Sequence, residues 1–303
     1  MLVTKENVKE IFKGYRVIFE EAFQGIRELT WRRIAMETQS SGDSEDYAFL
    51  SAIPGVRELI GEIQVKNLST QKFTITNKEW EVTIGLPVKL VERDTYGLLK
   101  PQIQMMAQVT AQHPDDLVSD LLINGFTTKC YTGKNFFDTD HEPVKGGTKF
   151  TNKDTKKLSA GNWEAARAAL RGIKNSEGRP MNLGRDLALC VSPENEGLAK
   201  RILEAEFQNG GDSNVNKGTG KVLVLPKLGG ATHKEKWFVI EAGYPVRALI
   251  VQIERQPTAL AVTDPEDSYV VLKKQFINQG YYRGNAGYGL PEFAWGSDGT
   301  TGP

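Results

Sequence analysis

Cysteine is nearly missing from this chain: two occur in 303 residues, Cys130 and Cys190. They form no CxxC pair, so neither a disulfide framework nor a zinc ribbon is indicated. Lying within or beside apolar stretches, they read as small core residues of a reducing compartment. Histidine is nearly as sparse, with His113, His141 and His233 in unrelated contexts. No histidine–cysteine or serine–histidine spacing suits nucleophilic catalysis. Charge of one sign is lacking too, because 38 basic and 38 acidic side chains cancel. Readers of DNA sequence draw affinity from a basic excess, so this balance speaks against that class. A net charge of zero does permit self-association. No apolar run approaches the ~20 residues of a membrane span, no secretory apolar region follows Met1–Val3, and no internal repeat is found. The expectation is a soluble, cytosolic chain. Its length allows one large domain or two to three smaller ones, burying roughly three quarters of the unfolded surface.

What is present begins with an aromatic helix. Residues 4–33 are predicted helical, with Thr4 as cap and Val8, Ile11, Phe12, Tyr15, Ile18, Phe19 and Phe23 on one stripe. Such a stripe needs a partner surface, and spacing leaves open whether the same or another subunit supplies it. A polar linker, "ETQSSGDSEDYAF", follows. Alternation then predicts strands around Phe73–Ile75 and Trp80–Ile84, joined by a tight turn at Asn77-Lys78. A two-stranded ribbon of this kind is marginal alone and has to lie on something. From Asp94 the period becomes helical, with Pro101 early and Pro114 either kinking the helix or starting a second one. Further expectations are a helix over 162–174 capped by Asn162, a buried strand "LALCV" at 187–191, and a helix after the Ser192 cap and Pro193. A polar loop at 209–220 and the strands "KVLVL", "KWFVIEA", "VRALIVQIE" and "YVVLKKQFI" complete the pattern. The class is α+β.

Three stretches invite a chemical reading. "KGTGKV" (217–222) departs from a phosphate loop: Val215 stands in place of the first glycine, Val222 in place of Ser or Thr, and a strand follows. "GNAGYG" (284–289) carries its glycines in the wrong order and opens no helix, so no dipole end is offered to a pyrophosphate. Its glycines are expected to supply positive φ in a turn, with Tyr288 and Trp295 packing nearby. "FFDTDHEP" sets Asp138, Asp140, His141 and Glu142 within five residues, and Asp138 and Asp140 could share a cation on an extended chain. Further ligands are wanting, and a polar loop is the preferred reading. No cofactor, metal or catalytic residue is assigned.

The segments "SAIPGVRELIGEIQVKNL", "AQHPDDLV", "CYTGKNFFDTDH" and "RGNAGYGL", in order between about residues 5 and 297, together resemble the Mu-like prophage major head subunit family. The resemblance implies the Hong Kong 97-type capsid fold. In that fold residues 1–48 would be an N-terminal arm, and 49–92 an extended-loop region with Phe73 and Trp80 near its tip. Residues 93–180 would begin the peripheral domain, with a spine helix over 94–124. The axial domain would run over 181–251, its 209–220 loop near the capsomer axis, and 252–303 would complete the peripheral domain. Pro114 departs from an unbroken spine and is expected to kink it.

The implied function is a structural one and not an enzyme's. Hexamers and pentamers would close an icosahedral shell around packaged double-stranded DNA, with scaffold and portal proteins as partners, only unspecific contact with the DNA, and no membrane. The protein would reside in the virion after assembly in the bacterial cytoplasm. Expected intersubunit contacts are Phe12, Phe19, Phe73, Trp80, Arg283 and Tyr288. An encapsulin-like compartment of the same fold is the near alternative, and a metal-dependent hydrolase using Asp138, Asp140 and His141 the distant one.

Overall fold

Thr4 does cap the first helix: its hydroxyl accepts from the Asn7 N–H at 3.3 Å. The computed structural model describes residues 4–26, 29–47, 73–93, 97, 99–142, 148–175, 178–208 and 211–302. The segment "SAIPGVRELIGEIQVKNL" lies outside them. Helix α1 (Lys5–Gly25) buries Val8, Phe12, Tyr15 and Phe19. It ends earlier than its periodicity predicts, and a one-turn helix α2 (Trp31–Ile34) leads straight into β1 (Ala35–Gln39). Then come β2 (Ser44–Asp46), β3 (Thr74–Thr76), β4 (Lys78–Pro87), α3 (Val88–Arg93) and the long α4 (Lys100–Asn124). Next are β5 (Lys153–Lys156), α5 (Ala160–Gly172), β6 (Leu187–Val191), α6 (Glu196–Leu203), the short pair β7 (Phe207–Gln208) and β8 (Asp212–Ser213), and β9 (Lys221–Val224). The chain closes with β10 (Trp237–Glu241), β11 (Leu249–Val262), α7 (Ser268–Lys273), β12 (Gln275–Tyr288) and β13 (Ala294–Thr301).

Two sheets organise the body. The first has the order β1-β11-β12-β4, with β1 parallel to β11 and the rest antiparallel. Along β12 buried and half-buried residues alternate, so Phe276, Asn278, Gly280 and Tyr282 face inward while Gln279, Tyr281 and Arg283 face out. The inward face carries α1 and α4. Phe12, Phe19, Ile103, Met106, Ala107, Val270 and Phe276 form one apolar core there. The second sheet has the order β5-β13-β10-β6-β9 and a larger core reaching from Trp31 through Trp163, Phe238 and Trp295. All five residues of β6 and of β10 are buried, which is why both read as continuous apolar runs.

Several expectations need correction. β3 and β4 do not form a hairpin: β3 pairs with β2, whereas β4 pairs with β12 along ten residues. Asn77 is the point where the chain changes partner. Its amide donates to Ser40 Oγ at 2.8 Å and Gly42 O at 2.7 Å, and its oxygen accepts from Gln252. "YVVLKK" is not a strand. Asp267 caps it as helix α7, and Lys274 at φ 54° ends it before β12 starts. The 160–172 helix is capped by Ser159, whose hydroxyl accepts from Asn162 N. β13 lies between β5 and β10 in the second sheet.

Pro114 does not divide the spine, because α4 runs unbroken through it over 25 residues. The "RGNAGYGL" stretch is no turn either. Gly284 and Gly287 lie within β12, and neither they nor Gly289 has positive φ. Their lack of a side chain serves close approach. A Cβ on Gly287 would stand 2.6 Å from Ile75 Cγ1, and one on Gly284 would collide with the Gln252 carbonyl.

Candidate functional site

With no catalytic cluster indicated, the surfaces able to meet another molecule are the candidates. β4 is an edge strand, since among the described residues no strand pairs with its far side. An exposed edge presents unpaired backbone donors and acceptors to any incoming strand. Beside it runs the solvent face of the first half of α4. From Pro101 to Gln112 that face shows Gln102, Gln104, Met105, Gln108, Val109 and Gln112 and no charge. Met105 and Val109 are 68% and 50% exposed, unusual for apolar side chains on a surface helix.

Between edge and helix lies a cleft lined by Trp80, Val82, Val109, Thr110, His113 and Tyr282. The Trp80 indole N–H donates to Gly284 O at 2.9 Å, and its ring lies 4.4 Å, centroid to centroid, from the His113 imidazole. His113 Nδ1 in turn bonds the Tyr282 hydroxyl. Burial pushes the His113 imidazole below its ordinary value, and it pushes the Tyr282 phenol up. The trio is therefore uncharged near neutrality and suits an apolar or backbone-presenting partner.

Most other large apolar side chains left open gather at two turns, with Val17 on α1 and Leu90 on α3 lying apart from them. Tyr269, Val271 and Leu272 on α7, with Leu260 on β11, surround the connection between β11 and β12, and Leu272 is 79% exposed. Phe207 and Val215 mark the β7–β8 hairpin, Val215 at 78% exposed. The hairpin's β8 strand falls within the polar 209–220 loop expected near a capsomer axis, and β7 just precedes that loop.

The residues singled out in the sequence divide accordingly. Trp80 lines the cleft, on the body's sheet and not at the tip of an extension. Phe73 is half-buried beside Tyr47, whose backbone N–H donates to Phe73 O at 2.7 Å. The chain thus departs and returns at one spot on either side of residues 48–72. Arg283 faces outward but is already paired, to Glu254 at 2.7 Å. Phe12, Phe19 and Tyr288 are buried within the subunit. Phe12 packs edge-on against Phe276 with centroids 5.6 Å apart, and Phe19 has no exposed surface. Tyr288 stacks on Phe136 at 4.5 Å and donates to Leu121 O. Residues so enclosed by their own chain offer nothing to a neighbour in this conformation.

The "FFDTDHEP" stretch is structural. Asp140 lies between Lys134 and Lys149, at 3.2 and 2.8 Å, and these cations hold its carboxyl below the ordinary range. His141 is wholly buried and stacks on Phe150. Among the described residues no group of three or more histidine, cysteine or acidic side chains is placed to hold a metal ion. Nor is any helix there long and apolar enough to cross a membrane. Sequence reasoning missed the uncharged face of α4, although the run of glutamines between Pro101 and Pro114 was visible.

Comparison with known proteins adds an independent line. The family model for the Mu-like prophage major head subunit gpT matches residues 8–156, 148–228 and 227–301. The major capsid protein of Escherichia phage Mu is 33% identical over 141 residues, a match spanning 46% of each chain and so less than half of that relative. The Mu-like prophage FluMu major head subunit of Haemophilus influenzae is 24% identical over 292 residues, 96% of this chain and 73% of the relative. Among solved structures, a chain of the bacteriophage JBD30 procapsid superposes with a TM-score of 0.59 at 23% identity, covering 95% of this chain and 75% of that one. This likeness establishes the fold, that of Hong Kong 97-type capsid proteins.

Proposed function

Because this chain belongs to the Mu-like prophage major head subunit family, we propose that it is a shell-forming head protein whose copies complete one another's unfinished surfaces. The observation that carries the reading is the placement of apolar surface: an open edge strand, an uncharged helix face and two apolar turns, each at the margin of a well-filled body. A monomer has no use for such a distribution, whereas closed assemblies bury it in interfaces of obligate size. The role is structural and not catalytic. Hexamers and pentamers meet through the β7–β8 hairpin near their axis. The cleft at Trp80, the neighbourhood of Phe73 and the outward face around Arg283 receive neighbouring copies. Many individually weak contacts then hold each subunit at several places at once.

In this reading the shell is icosahedral, part of the virion, and built in the host cytoplasm with scaffold and portal proteins. It encloses double-stranded DNA that the balanced charge contacts only weakly. Residues 1–48 act as the arm, 49–92 as the extended-loop region, 93–180 and 252–303 as the peripheral domain, and 181–251 as the axial domain. Expression of the chain, with scaffold supplied, followed by electron microscopy tests this: closed particles are expected. Folded, concentrated protein that stays monomeric under those conditions would overturn it.

A further inference from the structure

Residues 31–34 make a single helical turn, yet three parts of the molecule hold it. At its start the Trp31 N–H donates to Asp115 Oδ1 at 2.6 Å, one residue past Pro114 on α4. At its end the Arg247 guanidinium donates to the carbonyls of Arg32 and Arg33, groups a helix terminus leaves open. From the side, Arg33 pairs with Asp186. Asp186 is itself fixed, because the buried Glu241 carboxylate accepts from the backbone N–H groups of Gly184, Arg185, Asp186 and Gly243. The root of the arm is thus bonded at once to the spine and to the approaches of β6 and β11.

The elements meeting here each carry an irregularity or an end at the same level. Pro114 gives no N–H to the Thr110 carbonyl. β11 shifts register between Ile253 and Arg255 and again between Arg255 and Thr258. α1 ends at Gly25 before α2 begins. A small cavity lies where these features face one another, with Leu29, Trp31, Pro114, Ile253, Pro257 and Tyr282 in its wall. The same level parts the two cores: Phe19 and Met106 belong to one, Trp31, Ala111 and Val118 to the other.

We propose that α2 is a joint and Asp115 its release point, the arm helix keeping or leaving its seat on the spine according to whether Asp115 holds the Trp31 N–H. The half-buried carboxyl is pushed up to about 6, with burial the main cause, the Trp31 bond opposing it and Asp116 adding to it. The groups facing it are few. Asp116 on its own helix is the charged side chain whose field it feels, and α2 offers the uncharged Trp31 N–H. Of the neighbouring charges, Arg33 is committed to Asp186, Arg32 lies 4.0 Å from Glu37, and on β11 Glu254 is paired with Arg283 while Arg255 lies over Tyr281. Lifting the arm root returns Asp115 to water and to its ordinary 3.8. The seated state binds that proton more readily, so acid holds the arm down and a rise through pH 6 loosens it.

Amide hydrogen exchange on the full chain between pH 5 and 7.5, corrected for intrinsic exchange rates, tests the joint. In the wild type the opening constant for α1 amides is expected to rise about tenfold over this range, while β6 and β10 stay protected. Asp115→Asn keeps the acceptor without the charge; its profile should be flat, with slower α1 exchange than wild type at pH 7.5. Asp115→Ala strands the Trp31 N–H and should speed α1 exchange at every pH. A flat wild-type profile, the same rise in Asp115→Asn, or a rise shared equally by β6 and β10 would overturn the proposal. Should Asp115→Ala fail to fold, the Asp115→Asn profile decides alone. This measurement reads the subunit, so its outcome is separate from that of the particle experiment.

Discussion

Asn152 decides the protonation of the buried histidine beside it. Its amide nitrogen donates to the carbonyls of Phe136 and Pro291, at 2.9 and 3.0 Å, so its oxygen must face His141 Nε2 and the Asp138 N–H. Nε2 therefore carries the proton, and Nδ1 accepts from the Thr132 hydroxyl at 3.0 Å. Burial holds this imidazole below its ordinary 6.5, as it does His113. A lowered folded value means the unfolded chain takes these protons first. The histidine contribution is present above pH 6.5 and is lost as pH falls below it. His141→Ala should cost about 2–3 kcal/mol by removing the ring's bonds to Thr132 and Asn152 and emptying its buried place and should flatten part of that acid loss, as read by urea midpoints between pH 7.5 and 5. An unaltered pH profile would remove His141 from the acid response.

At the scale of elements, the arm helix is the part whose role changes most once its position is known. Phe12 and Phe19 fill the space between α4 and the first sheet, with Gly280 close beneath Phe19. Phe19→Ala should therefore destabilise the subunit by about 3–5 kcal/mol in equilibrium unfolding, the cost of an unfilled core site. Deleting residues 5–25 would uncover Ile103, Met106 and Phe276 together. The truncated subunit should aggregate or melt early, and an unchanged melting temperature would contradict the packing described. Trp80 differs because its ring is half-open. Trp80→Ala should lower subunit stability by about 1–2 kcal/mol, for one hydrogen bond and partial burial, yet abolish particle formation. Normal particle yield would take the cleft out of the interface.

At the scale of the whole molecule, the exposed side chains of the two apolar turns make the sharpest test, because they belong to neither core. Leu272→Glu and Phe207→Glu alter side chains that are 79% and 61% exposed. Each should leave subunit unfolding within about 0.5 kcal/mol of wild type while reducing closed particles, Phe207→Glu by preventing capsomers and Leu272→Glu by preventing their joining. Sedimentation separates these outcomes. Wild-type particle yield from either variant would show that its turn is not a contact.

The linear chain by itself determined the class, the helices over α1, α4 and α5, the strands β6, β9 and β10, and the family, because periodicity, caps and motif order are local properties carried by neighbouring residues. It also marked Trp80 as noteworthy. Tertiary structure alone decided which surface each element met. Whether Phe12 and Phe19 turn to a neighbour or inward depends on the distance between α1 and α4, which no spacing encodes. The partners of β3 and β4 were equally illegible, since Asn77 switches sheets through bonds to Ser40, Gly42 and Gln252, each more than thirty residues away. The glycines of β12 taught the same lesson. A glycine read alone suggests a turn, and only the opposing Gln252 carbonyl and Ile75 side chain reveal that close packing requires it.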